Sequence, residues 1–232
     1  MKTFKILGCL VLLCAIICSS VMLAAEAKTE EGAGDGSSGE DLVVETPREE
    51  STPLGGSVVV SPTYSEGLKF RSNGDGTCAL SGLGTCTSSC ILVPPKSPSG
   101  DVVTEILPYA LTGSIVGAIE IPATVRSVSA ASFSGCARLC YVRVAAGSEF
   151  YSEYDGVLYS ADGKTLVYCP SGRAAGELKL HTALSRISAG AFAECHGLET
   201  VIFQGSTSAW HSVVVGDDNE ALYAAGFRFS AP

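Results

Sequence analysis

The sequence predicts a solenoid of stacked, β-rich repeats. Residues 119–144 and 178–203 are two copies of one 26-residue pattern, IEIPATVRSVSAASFSGCARLCYVRV and LKLHTALSRISAGAFAECHGLETVIF. Six positions are identical at a constant offset of 59, and five more exchange one apolar residue for another. Because the apolar positions match while the polar positions differ, each copy is expected to bury its apolar face by stacking on a neighbour.

The shared apolar positions predict the core of the two repeats. These positions are Phe133, Cys136, Leu139 and Val142 in the first repeat and Phe192, Cys195, Leu198 and Val201 in the second. Alternation at Ile119 and Ile121 predicts short strands with one buried face. The irregular spacing of Val125, Val128 and Phe133 predicts a bend with one helical turn close to residues 130–133.

The same alternation predicts an outward-facing strand surface. If Val142 points inward, its two neighbours point outward, and the same register applies to the second repeat. Tyr and Arg are enriched at binding hot spots, and the strands of solenoids commonly line a binding surface. An ordinary solvated sheet face is the alternative. The predicted outward, ligand-binding residues are Glu120, Tyr141, Arg143, Thr200 and Ile202.

The N-terminus has the three parts of a secretory signal peptide. Lys2 and Lys5 form a positive region, an apolar run follows, and Ala25-Glu26-Ala27 offers a small-x-small cleavage site. We therefore predict a signal peptide at residues 1–27 and a location outside the cell or at its surface. An uncleaved anchor is the alternative, because the apolar run approaches the roughly 20 residues that span a bilayer.

Charge narrows the range of partners. Cleavage removes two lysines and one glutamate, so the net charge of −9 becomes −10. This sign argues against nucleic acid and against anionic membrane surfaces as partners, and no membrane insertion is expected after cleavage.

Residues 28–53 hold eight acidic and two basic groups among Gly, Ser, Thr and Pro. That composition predicts a disordered acidic linker, which we extend over residues 28–67.

A folded domain is predicted over residues 68–222, followed by a tail at residues 223–232. It begins with an N-terminal β cap (68–118), which ends in a degenerate first repeat. Residues 145–177 separate the two full repeats and contain a predicted hairpin around the turn Asp162-Gly163. Residues 204–222 form a C-terminal cap, in which Trp210 is expected to cover the apolar end of the stack.

Seven cysteines follow the predicted signal peptide, and buried thiols are the favoured interpretation. An odd number leaves at least one thiol unpaired in a monomer. A disulfide within the cap, among Cys78, Cys86 and Cys90, is the favoured bridge. A bridge between Cys136 and Cys195 would require the insertion to bulge out and leave the two full coils adjacent.

No catalytic or metal-binding motif is present in the sequence. His181 and His196 align with Pro122 and Ala137 of the other repeat, so neither belongs to a repeated polar feature, and His211 stands alone. The Cys-x3-Cys spacings lack the matched Cys-x2-Cys pairs of a zinc site. There is no HExxH motif, nucleophile elbow or phosphate-binding loop. We predict no enzymatic activity, no catalytic residues, no metal and no cofactor.

Several of these segments together resemble the BspA-type leucine-rich repeat family. SFSGCARL and AFAECHGL are similar to its AF-x-GC-x-x-L core, and IEIPATVRSV is similar to its I-x-IP-x-x-V-x-x-I stretch. DGVLYSADGKTLVYCP resembles a hairpin insertion common in the family, GSTSAWHSVVVGDDNEAL its end segment, and SNGDGTCALSGLGTC a first-repeat cap. His181 departs from the usual proline and Glu194 from the usual glycine.

The resemblance runs from about Leu68 to about Leu222 and implies both a fold and a function. The implied fold is a right-handed leucine-rich repeat solenoid, here with about three coils, an N-terminal β cap and an inserted β-hairpin. The implied function is adhesion-type binding of an extracellular protein or glycan, without catalysis, and it leaves the oligomeric state open. The alternatives are a structural spacer of a surface assembly and an enzyme with an unrecognised site.

Overall fold

The computed structural model describes residues 63–113, 115–173 and 176–230. The predicted signal peptide and residues 28–62 of the predicted linker lie outside these ranges. Besides a 3₁₀ turn at Ala130–Phe133, two short helices are described, α1 (Thr207–Trp210) and α2 (Glu220–Ala224). The strands in chain order are β1 (Lys69–Ser72), β2 (Thr77–Gly82), β3 (Cys90–Leu92), β4 (Val102–Ile106), β5 (Ala118–Ile121), β6 (Tyr141–Val144), β7 (Tyr151–Tyr154), β8 (Val157–Ser160), β9 (Thr165–Tyr168), β10 (Gly176–Lys179), β11 (Arg186–Ile187), β12 (Leu198–Phe203), β13 (Val214–Val215) and β14 (Gly226–Phe229).

Two three-stranded parallel ladders form the main face of the stack. We call them the first ladder, in the order β3-β5-β6, and the second ladder, in the order β10-β12-β14. In the first ladder Ile91, Ile119 and Val142 lie in register, and all three side chains are buried. In the second, Leu178 and Val201 form the equivalent buried row. Stacked parallel strands with one inward row confirm the predicted repeat solenoid.

Further parallel pairs hold successive coils together at a second position. β2 pairs with β4, and an isolated bridge joins Glu105 of β4 to Ser127 of the first full repeat. Later in the chain β11 pairs in parallel with β9 on one side and with β13 on the other. Because each coil is hydrogen-bonded to its neighbours at two points of its circuit, the coils stack in a defined register.

The segment between the two full repeats lies within the stack. β8 pairs antiparallel with both β7 and β9, and β9 continues the sheet by pairing in parallel with β11. The backbone N–H of Val142 donates to Gly156 at 3.0 Å, and that of Gly172 donates to Leu139 at 2.8 Å. The segment therefore does not bulge out, and the strands of the two full repeats are not adjacent.

One side chain nevertheless joins the loops of the two full repeats directly. The carboxylate of Glu194 accepts hydrogen bonds from the backbone N–H of Gly135 at 2.9 and 3.1 Å and from the Ser134 hydroxyl at 3.0 Å. Glu194 stands where the resembled family has glycine. The departure has a physical reason here, because a carboxylate at this position ties the second repeat to the first.

The predicted core positions lie in two packed clusters. All eight repeat-core residues named from the sequence are buried except Leu198, which is half-buried. The Phe133 ring of the first repeat stacks on the Tyr168 ring of β9 with 4.4 Å between centroids. This contact joins the first repeat to the inserted segment, and both rings are almost fully buried.

The C-terminal end of the described chain forms a strand of the second ladder instead of a tail. The sequence predicts a tail at residues 223–232, but this stretch contains β14, which pairs with β12 as the last strand of the second ladder described. The assignment is wrong because Phe227 and Phe229 alternate with polar residues and add an apolar row to that ladder. Trp210 packs against Phe203 at 5.3 Å and against Phe227 at 4.7 Å.

A single buried side chain, Asn219, fastens this end of the stack. Its Oδ1 accepts a hydrogen bond from the backbone N–H of Phe192 at 2.8 Å. Its Nδ2 lies within hydrogen-bonding distance of the carbonyls of Ser188, Gly216 and Asp217, at 3.0, 2.9 and 3.1 Å. The amide therefore satisfies backbone groups of both the second repeat and the C-terminal cap. Nothing in the repeat pattern predicts this role.

The cap does not contain the expected disulfide. Cys78 and Cys86 are both free thiols, so no bridge joins two of the three cap cysteines. Cys78, Cys136, Cys169 and Cys195 are buried, whereas the remaining three are half-buried.

We expect Phe133→Ala to lower the free energy of unfolding by about 3–5 kcal/mol, because it leaves a cavity beneath the stacked Tyr168 ring. Urea denaturation measures the effect. Tyr223→Ala is the control, since that ring is 64% exposed and its removal should change stability by about 0.5 kcal/mol or less. Similar losses in the two variants would contradict the core assignment.

We expect Asn219→Leu to cost at least about 3 kcal/mol, because it leaves several buried backbone groups without hydrogen-bond partners. The same substitution at Asn73 is the matched control. The Asn73 side chain is exposed and bonds only Thr77 among the contacts described, at 2.9 Å, so about 1 kcal/mol or less is expected there. Equal costs in the two variants would show that Asn219 does not fasten the C-terminal end.

Candidate functional site

The outward residues of the first ladder form one part of the candidate site. On β6 Val142 is buried while Tyr141 is 42% exposed. Arg143 lies in register with Glu120 of β5, and Nε of Arg143 is 3.6 Å from Oε2 of Glu120. The structure thus brings these three predicted residues onto neighbouring strands. The ion pair leaves Tyr141 as the most exposed of the three.

The other two predicted residues lie on the second ladder. Thr200 stands in register with Glu177 of β10, and Ile202 stands in register with Lys179 of β10 and Arg228 of β14. Both are half-buried on the middle strand of the ladder. The predicted face is therefore divided between two ladders, with Glu120, Tyr141 and Arg143 on one and Thr200 and Ile202 on the other.

A groove with a volume of about 490 Å³ lies where the two ladders approach each other. Outward Tyr141 of β6 contributes to one side and outward Glu177 of β10 to another, so the groove opens on the outward face of the strands. It is lined by Cys140, Tyr141, Glu153, Asp155, Gly156, Arg173, Gly176 and Glu177. Of these, only Tyr141 was predicted from the sequence.

The groove was missed because all of its lining residues except Cys140 and Tyr141 come from the segment between the repeats. Asp155 and Gly156 form the two-residue turn between β7 and β8, with φ of +55° and +76°. Positive φ at both positions is typical of the type I′ turns that Asp-Gly pairs favour in tight hairpins. The dipeptide Asp155-Gly156 is therefore a sequence signal from which this second hairpin was predictable.

The Tyr141 ring owes its position to Gly156. A Cβ atom on Gly156 would lie 2.7 Å from Cδ2 of Tyr141, so the ring packs directly against a backbone that has no side chain. The Glu153 carboxylate accepts a hydrogen bond from the N–H of Gly156 at 2.9 Å and holds the turn in place. The aromatic side of the groove is thus fixed by a glycine and a carboxylate of the inserted segment.

Carboxylates outnumber basic groups in the groove. Glu153, Asp155 and Glu177 contribute acidic side chains, and Arg173 is the one basic residue in the lining described. Nη2 of Arg173 lies 2.6 Å from Oδ2 of Asp155, and Nη1 donates to the Asp155 carbonyl. Glu177 pairs with Arg228 of β14. The lining therefore carries a net negative charge, which favours positively charged groups in a ligand.

The thiol in the groove is held as a neutral group. Cys140 donates to the carbonyl of Gly172 at 2.9 Å, and that of Arg138 lies 3.2 Å away. Burial raises the pKa of the Cys140 thiol because it disfavours the charged thiolate. The surroundings of Cys140 thus suit a structural thiol rather than a nucleophile.

The histidines lie apart from one another and are not part of the groove lining. His181 packs against the rings of Tyr154 and Tyr159 at 5.3 and 5.7 Å, and its Nδ1 accepts from the backbone N–H of Ala183 at 3.1 Å. His196 and His211 are exposed. In residues 63–113, 115–173 and 176–230, no group of three or more His, Cys, Asp or Glu side chains is arranged to hold a metal ion.

Long apolar helices are also absent from the part of the chain that the structure describes. No helix there has the length and apolar character needed to span a membrane.

Comparison with solved structures returns matches, whereas comparison with family models and with curated proteins returns none. No protein-family model matches the chain, and no curated protein is similar to it. Among solved structures, a leucine-rich repeat protein from Eubacterium ventriosum ATCC 27560 is 16% identical with a TM-score of 0.40, and the match covers 56% of this chain and 40% of that one. The leucine-rich repeat protein of T. pallidum is 16% identical with a TM-score of 0.37, covering 69% of this chain and 66% of that one.

A third similar structure is a leucine-rich cell surface protein from Faecalibacterium prausnitzii A2-165. It is 26% identical with a TM-score of 0.38, covering 55% of this chain and 37% of that one. The chain thus spans less than half the length of the first and third of these proteins. The ladders and repeats of the chain itself define its class, a solenoid of stacked β-rich repeats, and the predicted fold class is confirmed at that level.

We expect Gly156→Ala to lower the free energy of unfolding by at least about 2 kcal/mol, because it adds a clash with the Tyr141 ring to the strain of a positive φ. Gly147→Ala is the matched control for chemical denaturation. Gly147 has φ of +83° and no atom within 4 Å of an added Cβ, so backbone strain alone should cost about 1 kcal/mol. Equal losses would show that the ring does not depend on Gly156.

Proposed function

We propose that this protein is an exported, non-enzymatic binding module that holds an extracellular partner on its strand face. The groove between the two ladders is the observation that carries the proposal. It places an exposed tyrosine beside three carboxylates on an otherwise regular surface. Solenoids use their extended strand surfaces in this way, with aromatic residues at the centre of the contact.

The rigidity of the strand face supports a role in recognition. Tyr141 and Arg143 lie on a strand with parallel hydrogen bonds to β5, and Glu177 lies on a strand paired with β12. Side chains on paired strands lose little further conformational freedom when a partner binds. A partner lying across the groove would contact both ladders and so include Thr200 and Ile202 of the predicted face.

The charge of the groove favours a protein partner with exposed Lys or Arg. One arginine among three carboxylates leaves the lining negative, and the whole chain carries a net charge of −9. Sulfated or sialylated glycans would meet like charge at this site. Neutral glycans remain compatible with the groove, because tyrosine rings and carboxylates also pack against and hydrogen-bond to sugars.

The proposed location rests on the N-terminal sequence. The positive region, the apolar run and the small-x-small site at residues 25–27 are the features of an export signal. A module of this kind would present its strand face at the cell surface or in the medium.

Binding of residues 28–232 to arrays of extracellular-matrix proteins, mucins and glycans tests the proposal. We expect specific binding that weakens as salt is raised from about 0.05 M to about 0.5 M, because the contact is partly electrostatic. Tyr141→Ala should lower the affinity about 30-fold, as expected of a central aromatic residue. Arg143→Ala should have a smaller effect, because Arg143 is half-buried and paired with Glu120.

Tyr223→Ala is the matched control for the binding measurement. Tyr223 is 64% exposed on α2, and it is not among the residues that line the groove. We expect its removal to leave the affinity within about twofold of the original. Binding that is unaffected by Tyr141→Ala, or an absence of binding on every array by a well-folded protein, would contradict the proposal.

A further inference from the structure

The two repeats place a cysteine thiol at the same point but against different neighbours. Cys136 and Cys195 are equivalent at the offset of 59. The Cys136 thiol donates to the carbonyl of Leu111 at 3.1 Å, and the Cys195 thiol donates to the carbonyl of Cys169 at 3.0 Å. In both repeats, therefore, the thiol donates a hydrogen bond to the backbone carbonyl of a residue about 25 positions earlier in the chain. In the second repeat that residue carries a thiol of its own.

Cys169 and Cys195 also belong to the same buried cluster. Both residues are buried, with 1% and 5% of their surface exposed, and Sγ of Cys195 lies 3.0 Å from the carbonyl oxygen of Cys169. The neighbouring Cys195 thiol and burial raise the pKa of the Cys169 thiol, so that group is neutral in the folded protein. Both line one crevice of about 10 Å³, room for roughly one water molecule.

We propose that Cys169 and Cys195 are a disulfide-forming pair that becomes bridged when the chain folds in the presence of a disulfide oxidant. The two S–H bonds are replaced by one S–S bond. The two protons and two electrons pass to the oxidant, for example oxidised glutathione, which is reduced to two thiols. Since the crevice excludes a molecule of that size, exchange takes place before the segment closes or during local opening.

The bridge would support one wall of the groove. Cys169 directly follows β9 and leads into the segment with Arg173, which lines both the crevice and the groove. Arg173 in turn holds Asp155 at 2.6 Å. A bond from Cys169 to Cys195 would tie this segment to the second repeat. The pair itself is independent of any ligand, so its test does not depend on the proposed binding function.

Peptide mapping tests the proposal on the full chain. The protein is unfolded, reduced, refolded with oxidised and reduced glutathione, alkylated and digested with trypsin without reduction. Trypsin separates the two cysteines into peptides 165–173 and 187–228, each with a single cysteine. We expect these two peptides to be joined by a disulfide. Recovery of both as alkylated peptides, or of either joined to a different cysteine, would overturn the proposal.

The thermal midpoint supplies a second, independent measurement. A bridge across this span should raise the midpoint of the oxidised chain about 10 °C above that of the reduced chain. The difference should vanish in Cys195→Ser and persist in Cys136→Ser, the matched change at the equivalent repeat position. Because each variant is compared with its own reduced form, a general loss of stability does not affect the result. An unchanged difference in Cys195→Ser would count against the pair.

Discussion

Parallel hydrogen bonding between short strands of successive coils is the constraint on which the structure depends. The ladder strands have three to six residues, which is too few to be stable alone. Pairing in register aligns equivalent repeat positions, so the inward residues form continuous apolar rows such as Ile91, Ile119 and Val142. The same pairing requires that both ends of the stack be closed, because an open ladder exposes unpaired backbone groups.

The inserted segment is hydrogen-bonded to the first repeat, but it interrupts the outward strand surface between the two ladders. Its approach to β6 uses the turn residue Gly156 and the glycine at 172 rather than a full strand. At Gly172 a Cβ atom would lie 2.4 Å from the carbonyl carbon of Arg138, so a larger residue would push the chain away. Because a turn takes the place of a ladder strand, a gap opens in the outward surface. The groove between the two ladders is that gap.

Features that depend on residues close together in the chain could be predicted, whereas contacts between residues far apart in the chain could not. The core positions of the repeats were predictable because periodicity in the chain corresponds directly to burial on a stacked coil. Leu198 is less buried than its equivalent Leu139, although the two residues are identical. The Asp155-Gly156 turn carried a local signal. By contrast, Asn219 and Cys169 act on residues of the second repeat, at separations of 26 to 31 residues, that no motif connects to them.

The amino-acid sequence by itself determined the fold class and the inward and outward positions of the repeat strands. It could do so because strand alternation and repeat periodicity are properties of neighbouring residues. Only the tertiary structure decided that the insertion stays within the stack, that β14 completes the second ladder and that Tyr141 lies over Gly156. These features depend on which coils become neighbours in space, and that order is set by packing among residues far apart in the chain.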